Sequence, residues 1–438
     1  MTETDVSATV PKSVMAKVTV AAGIGGIIEY FDLIIAAFVG VVVWPKVLFP
    51  SSAASDIAFV IAAVGITFLV RPIGAVIFGH IGDRQGRRNT LVYTLLLLGV
   101  GVLGIGLIPD YSAIGLAAPA LLFVFRAIFG LGLGGEFGGA VSWILEFTSK
   151  SSRRSFWAVW AAPATFGFVL ASLVFTLLAE ATGPALFTYG WRLPFIAGGA
   201  MTVIGLVIRY RLTESPLFDA VREKGKVERT PALTAIKLYW KQIVMLGIMD
   251  SIFITLATGL QAPFSIGYLA VLGVSPTFTS LSILIGNSVG MVTWMIGPFA
   301  AEKFGRKRAM MITMVWFLIG SVLFFPLLNT KNLALIVLAQ TLISACIGFG
   351  NAPIQTLMGE SFPTKFRYSG AGVTYQMAAL IAGVVTTAVA STATYAYGVM
   401  GAAPYLGGTA IALTLIALVC NVLVRDTRNV DLRQVDNA

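Results

Sequence analysis

Two acidic residues lie three positions apart inside the first long apolar segment of the chain. Glu29 and Asp32 therefore face the same side of any helix that this segment forms. An ionised side chain at the centre of a bilayer costs about 2.5–3.5 kcal/mol, and two neighbouring carboxylates cannot easily both be ionised. We therefore predict that this pair binds and releases a proton, with Asp32 as the main site. The alternative is that both acids lie near the water interface.

Arg126 lies well inside another apolar segment. A guanidinium group cannot lose its charge, so a buried arginine needs an anionic partner. The candidate partners are Asp32, Glu29 and a carboxylate group of a ligand. We predict that Arg126 binds the ligand, and the alternative is a permanent structural ion pair.

Other polar residues interrupt the apolar segments. Arg71 precedes Pro72 and either binds the ligand or extends towards the membrane surface. Glu136 follows Arg126 by ten residues and does not share its helical face, and we predict it as a further proton site. The remaining predicted ligand-binding residues are Tyr30, Asp250, Gln261, Gln340, Asn351, Tyr375 and Gln376.

The composition indicates that these residues lie in a membrane protein. The 438 residues are 57% apolar and 11% charged, whereas a soluble domain is roughly 25% charged. Twelve apolar segments are long enough to cross a bilayer, which takes about 20 residues. Cys346 and Cys420 both lie in such segments, so we expect neither a disulfide nor a metal site.

Positive charge is distributed unevenly between the two sides of the predicted membrane. Of the 30 basic residues, all but five lie in the tails or in alternate loops. Cytoplasmic loops retain Lys and Arg, so both termini are predicted to be cytoplasmic in a plasma-membrane protein. The same rule explains the net charge of +10 without nucleic acid as a partner. The exceptions are Lys46, Arg192 and Lys331 in opposite loops, and Arg71 and Arg126 inside apolar segments.

The chain divides into two similar sets of six segments. Residues 82–88 read GDRQGRR, residues 301–307 read AEKFGRK, and each stretch follows the second segment of its half. Parallel repeats of this kind are typical of transporters that bind their ligand between the halves near the midplane. The predicted divisions are an N-terminal tail at 1–17, a first bundle at 18–212, a central loop at 213–239, a second bundle at 240–424 and a C-terminal tail at 425–438.

Residues 79–88, GHIGDRQGRR, resemble the GxxxDRxGRR loop pattern of the major facilitator superfamily. Within it, the chain is most similar to metabolite–proton symporters, through EYFD at 29–32, RPIG at 71–74, RAIFG at 126–130 and ESFPTKFR at 360–367. Phe129 stands where that family usually has Gln. The resemblance implies an all-α fold with twelve transmembrane helices in two six-helix bundles. It also implies that Asp32 pairs with Arg126 when ionised and frees it for an anion when protonated.

A second set of charged residues lies at the predicted cytoplasmic ends of the segments. We call these seven the latch residues, because such charges can hold two bundles together in one conformation and separate in another. The alternative is that they only set topology. The latch residues are Asp83, Arg84, Arg87, Glu146, Glu302, Arg306 and Glu360.

These observations predict a monomeric proton-coupled symporter of a small organic acid or zwitterion, working by alternating access. The predicted partners are the ligand, protons and the lipid bilayer, with no cofactor besides the proton. The chain shows no arrangement of nucleophile, base and orienting residue, so we do not expect an enzyme. A sugar–proton symporter of the same superfamily and a nutrient receptor that does not transport are the alternatives.

Overall fold

A computed structural model describes residues 12–49, 53–147, 153–211, 214, 231–255, 260–261 and 263–427. In these ranges the long elements are helices. Short helical turns at Trp44–Val47, Tyr111–Ile114, Gly183–Phe187, Gly190–Arg192 and Thr364–Phe366 connect them. The long helices are α1 (Lys12–Val42), α2 (Ala53–Gln85), α3 (Arg87–Gly106), α4 (Ala117–Phe147), α5 (Arg153–Thr182), α6 (Leu193–Tyr210), α7 (Pro231–Ile254), α8 (Pro263–Val271), α9 (Pro276–Phe304), α10 (Arg306–Asn329), α11 (Leu333–Glu360) and α12 (Arg367–Leu423).

Within the described ranges, eleven helices are long and apolar enough to cross a membrane. The longest of them, α12, is interrupted at Gly398, whose φ of 71° lies in the left-handed region that glycine adopts without strain. The two parts of α12 are each long enough to cross once, so the described ranges contain twelve crossings. The predicted all-α architecture of twelve transmembrane helices is therefore confirmed.

The seventh crossing differs from the predicted segment. Its helix begins at Pro231, inside the stretch predicted as a loop, and passes a non-helical residue at Tyr239 before entering the bundle. The α-helix ends at Ile254, residues 255, 260 and 261 are π-helical, and α8 begins at Pro263.

The two halves repeat the same helix neighbours. In the first half α1 packs on α5, α2 and α3 pack on α4, and α3 packs on α6; the corresponding helices of the second half pack in the same way. The connections between the second and third crossings also match, because Gly86 and Gly305 both have positive φ, of 116° and 92°. The repeated sequence stretch therefore forms the same helix–glycine–helix corner twice.

The halves meet along two antiparallel helix pairs, α2 with the first part of α12 and α5 with α9. Close approach requires small residues, as at Gly138, where an added Cβ would lie 2.5 Å from the carbonyl oxygen of Tyr368. We call the end of the bundle where α1 begins and α12 ends the termini side, and the opposite end the far side. Outward faces carry exposed apolar side chains such as Val203 and Leu177, as expected of a surface in lipid.

Candidate substrate and proton site

Arg126 and Asp32 form a buried ion pair. Nη1 of Arg126 lies 2.6 Å from Oδ2 of Asp32, and both side chains are almost fully enclosed. The guanidinium group also lies 5.1 Å from the centre of the Trp44 ring. Its Nε and Nη2 atoms, and Oδ1 of Asp32, have no hydrogen-bond partner. Arg126 therefore retains N–H donors without a partner, and the oxygen atoms of a bound carboxylate could accept hydrogen bonds from them.

A second buried ion pair joins Arg71 to Glu29. Nη1 of Arg71 lies 3.0 Å from Oε1 of Glu29, and the arginine is 4% exposed. Arg71 therefore lies within the bundle and not at the membrane surface. The hydroxyl of Tyr375, from the second half, donates to the same carboxylate oxygen at 3.3 Å. This hydrogen bond connects the two halves directly.

A small cavity lies between the halves beside the Arg71–Glu29 pair. Its polar lining comes from both halves and is surrounded by aromatic and aliphatic side chains. Arg126 and Asp32 do not line it. The lining residues are Glu29, Tyr30, Leu33, Phe68, Arg71, Phe168, Asp250, Phe253, Ile254, Ile347, Asn351 and Tyr375.

Asp250 is the acidic residue that the second half contributes to this cavity. It lies in α7, four residues before the helix ends, and is 1% exposed. Its Oδ2 atom has no hydrogen-bond partner. Among the described residues it forms no ion pair within 4 Å, which distinguishes it from Glu29 and Asp32.

A smaller second cavity adjoins the first and shares Phe168 and Ile347 with it. Amide and hydroxyl groups line it: the amide nitrogen of Gln261 donates to Oδ1 of Asn287 at 2.9 Å and also to Ser344. Gln340 lies behind this group and donates to Ser265 at 3.1 Å. The second cavity therefore has mainly apolar walls and a few uncharged amide and hydroxyl groups.

Gln376 and Glu136 are predicted site residues whose contacts lie outside both cavities. Gln376 donates to the carbonyl oxygen of Leu133 at 3.1 Å and so joins the halves on the termini side. Glu136 forms a buried ion pair with Arg209 and accepts from Thr94 at 2.8 Å. The uneven distribution of basic residues predicts Arg209 at the membrane surface, and this prediction is wrong. Its side chain is fully buried and reaches inward from the last turn of α6.

The first group of latch residues joins the two halves. Asp83 accepts hydrogen bonds from the backbone nitrogen of Ser369 at 2.9 Å and from its hydroxyl at 2.7 Å, at the N-terminal end of α12. Arg87 lies 3.2 Å from the same carboxylate group. Tyr368, which the sequence analysis missed, donates to the carbonyl oxygen of Gly135 at 2.8 Å. Arg84 is exposed.

The second group of latch residues forms ion pairs within the second half. Arg306 lies 3.1 Å from Glu302 and 3.2 Å from Glu360. Glu360 in turn accepts from the hydroxyl of Thr427 at 2.6 Å, near the C-terminal end of the described chain. The side chain of Glu146 lies outside the described residues.

The halves also touch on the far side of the cavity. Thr176 donates to Ser280 at 2.9 Å, and Asn287 donates to Ser172 at 3.3 Å. Contacts between the halves therefore lie on both the termini side and the far side of the central cavity. The structure is that of a closed conformation.

Two repeated six-helix halves around a buried, charged cavity define a membrane transporter. Residues 22–387 match the sequence profile of the Major Facilitator Superfamily. The chain is 34% identical over 434 residues to the inner membrane metabolite transport protein YhjE of Escherichia coli, covering 95% of each chain. The chain therefore belongs to the Major Facilitator Superfamily, and its relatives include metabolite transport proteins.

A second relative and a solved structure extend the comparison. A putative proline/betaine transporter of Staphylococcus haemolyticus is 32% identical over 384 residues, covering 86% of this chain and 81% of the relative. The proton:xylose symporter XylE, solved with 6-bromo-6-deoxy-D-glucose, superimposes with a TM-score of 0.77 at 18% identity. That match covers 97% of this chain and 99% of XylE, and it shows a shared fold.

Proposed function

We propose that this chain is a proton-coupled symporter that carries small carboxylates or zwitterions across the plasma membrane by alternating access, with both termini in the cytoplasm. The observation that carries the proposal is the presence of two buried arginine–carboxylate pairs in the first half, of which the Arg71–Glu29 pair lines the central cavity. Arg126 pairs with Asp32 at 2.6 Å and Arg71 with Glu29 at 3.0 Å.

Each pair offers a way to link a proton to an anion. Removing one member of a buried ion pair leaves the other charge uncompensated, which is strongly unfavourable. If the carboxylate takes up a proton, the arginine needs another anion, and a ligand carboxylate fits its planar fork. If the ligand leaves, the acid must ionise again. Proton and ligand are thus bound and released together.

The cavity supports a small ligand with a charged group. Arg71 supplies a cationic group with a free Nε atom, and Tyr375 and Asn351 supply polar groups from the other half. Proline and betaine, named in the relatives from Staphylococcus, are both small zwitterions with a carboxylate. They are therefore the first ligands to test.

Gradient-driven uptake by the purified protein in vesicles tests the proposal. The probes are labelled L-proline, glycine betaine and succinate, supplied with the exterior more acidic than the interior. We expect at least one of them to accumulate against its own gradient, and a protonophore to abolish accumulation without abolishing exchange at equal pH. Binding without accumulation would support the receptor alternative and contradict this proposal. Accumulation that is insensitive to the pH gradient would contradict proton coupling.

A sugar–proton symporter is the second candidate, and the uncharged second cavity favours it. Gln261, Asn287 and Ser344 present amide and hydroxyl groups suited to hydroxyl-bearing ligands. Labelled D-xylose in the same assay separates the two candidates. Accumulation of D-xylose with no accumulation of the three charged probes would replace the first proposal with the second.

A further inference from the structure

Three acids lie at or beside the central cavity, but only two of them have a cationic partner. Glu29 and Asp32 lie within 3.0 Å of an arginine nitrogen atom. Asp250 is equally buried and has no ion-pair partner among the residues that the structure describes. Its Oδ2 atom lacks any hydrogen-bond partner. A carboxylate that remains ionised in such surroundings loses its hydration and gains nothing in return.

Among the described residues that line the cavity, the helices packed against α7 supply no spare positive charge for Asp250. From α1, the titratable groups that line the cavity are Glu29 and Tyr30; from α2 there is Arg71, and from α12 there is Tyr375. The helix α11 contributes the amide of Asn351. Arg71 is already engaged with Glu29 at 3.0 Å. Asp250 therefore faces one neutralised ion pair and several uncharged polar groups.

The charges in this region do not balance without a proton. Glu29, Asp32 and Asp250 carry three negative charges when ionised, whereas Arg71 and Arg126 carry two positive ones. An uncompensated charge in low dielectric is removed by taking up a proton when the group is able to do so. Both ion-paired acids are stabilised as carboxylates by their arginines. The unpaired acid is the one that takes the proton first.

We propose that Asp250 is a proton-binding site of the transporter, neutral in the closed conformation and distinct from the Asp32–Arg126 pair. The proton adds to the carboxylate from water while the cavity is open on one side. It returns to water when the cavity opens on the other side and Asp250 is hydrated. Protonation removes a negative charge from the space that an anionic ligand enters, so proton and ligand favour each other's binding.

The assignment of the proton rests on the geometry of Asp250, whereas its use in coupling rests on the proposed symport. The two parts are therefore tested separately. The first uses the proton alone as the ligand, and its outcome does not depend on which molecule the protein carries.

Infrared spectroscopy of the full chain in lipid vesicles detects protonated carboxylic acids directly. At neutral pH we expect a protonated-acid band in the wild-type protein that is lost in Asp250→Asn. Asp250→Glu should shift the band and not abolish it, which guards against a folding defect in the first variant. Asp110→Asn, which alters a partly exposed acid paired with Arg192, is the matched control and should retain the band. A wild-type protein without the band, or a band that survives in Asp250→Asn, overturns the proposal.

Transport then tests the coupling. With whichever probe the vesicles accumulate, Asp250→Asn should lower the number of protons moved per probe molecule by one, while exchange at equal pH persists. An unchanged proton count overturns the coupling role. If no probe accumulates in the wild-type protein, the proposed symport fails, whereas the infrared result still decides whether Asp250 holds a proton.

Discussion

The hydroxyl of Tyr375 donates a hydrogen bond to Glu29, 3.3 Å away, across the boundary between the two halves. Glu29 also pairs with Arg71, so a residue of the second half contacts an ion pair of the first half at the wall of the cavity. A change in the charge of Glu29 therefore alters a contact that holds the halves together. Ligand binding and closure are linked at this point.

Tyr375→Phe should weaken closure without removing any charge. A hydrogen bond to a charged group contributes about 1.5–3 kcal/mol, so the balance between closed and open conformations should shift by roughly tenfold or more. Accessibility of single cysteines introduced along the α5–α9 contact measures this shift. Tyr405→Phe, at an exposed tyrosine stacked on Tyr397, is the control and should change nothing. Equal accessibility in Tyr375→Phe and wild type would show that the hydrogen bond does not influence closure.

Asp32→Asn should weaken the coupling of transport to the proton gradient. The amide imitates the protonated acid, so Arg126 stays available to the ligand at every pH. We expect exchange at equal pH to survive and gradient-driven accumulation of the same labelled probe to fall, because only the proton carried by Asp250 still drives it. Asp110→Asn should accumulate the probe as wild type does. Normal accumulation by Asp32→Asn would remove this residue from the coupling mechanism.

Arg126→Ala should weaken carboxylate binding by about tenfold or more, because charge-assisted hydrogen bonds of about 1.5–3 kcal/mol each are lost. Arg126→Lys keeps the charge without the planar fork and should fall between Ala and wild type. In wild type, affinity should rise as pH falls until the ligand's own carboxylate is protonated. Affinity measured against pH gives the answer. An alanine variant with wild-type affinity and pH dependence would show that Arg126 is purely structural.

Asp83→Asn should slow transport several-fold and leave the order of preferred ligands unchanged. Asp83 accepts two hydrogen bonds at the N-terminal end of α12, and a neutral amide holds that positive helix end less strongly. The rate and the ranking are both read from competition among the labelled probes. Arg84→Gln, at an exposed neighbour, should match wild type. A changed ranking would place Asp83 in ligand recognition.

Glu136→Gln separates the proposed proton role of Glu136 from a structural one. Arg209 would keep its buried charge and lose its anionic partner, which costs about 3–5 kcal/mol. We expect a marked fall in the melting temperature, with the number of protons per probe unchanged in the protein that remains folded. Glu302→Gln, which alters a more exposed pair, should have a smaller effect on melting. A changed proton count at near-normal stability would instead support Glu136 as a proton site.

The features of the fold that depend on single helices or on overall composition could be predicted from the sequence. Twelve crossings, the repeat of two halves and the family follow from apolar length and from the loop pattern at 79–88. Pairing was harder, because spacing along one helix does not say which face of a neighbour it meets. The contact of Arg126 with Asp32 was among the predicted options. The contact of Arg71 with Glu29 could not be predicted from spacing, because it depends on how the antiparallel helices α1 and α2 pack against each other.

Arg209 illustrates a second limit. It lies in the last turn of α6, and a basic residue at that place ordinarily marks the membrane surface. The guanidinium group instead reaches back along the helix to Glu136 and to the carbonyl oxygen of Leu91. The available signal was Glu136 itself, because a buried acid needs a cationic partner. Arg126, in the same helix, lies ten residues away and on a different face. Gln340 and Gln376 were predicted from polarity alone, and polarity does not separate cavity walls from helix contacts.

The hydrogen bonds between the halves are unequal on the two sides of the cavity. On the termini side they include a carboxylate, Asp83, which accepts from Ser369, and Tyr368, which reaches a carbonyl oxygen. On the far side the described bonds join uncharged hydroxyl and amide groups, as between Thr176 and Ser280. Separating the far side should therefore require less free energy. With both termini in the cytoplasm, as proposed, the far side faces the medium and separates more easily than the termini side, which favours capture of scarce nutrients over their loss.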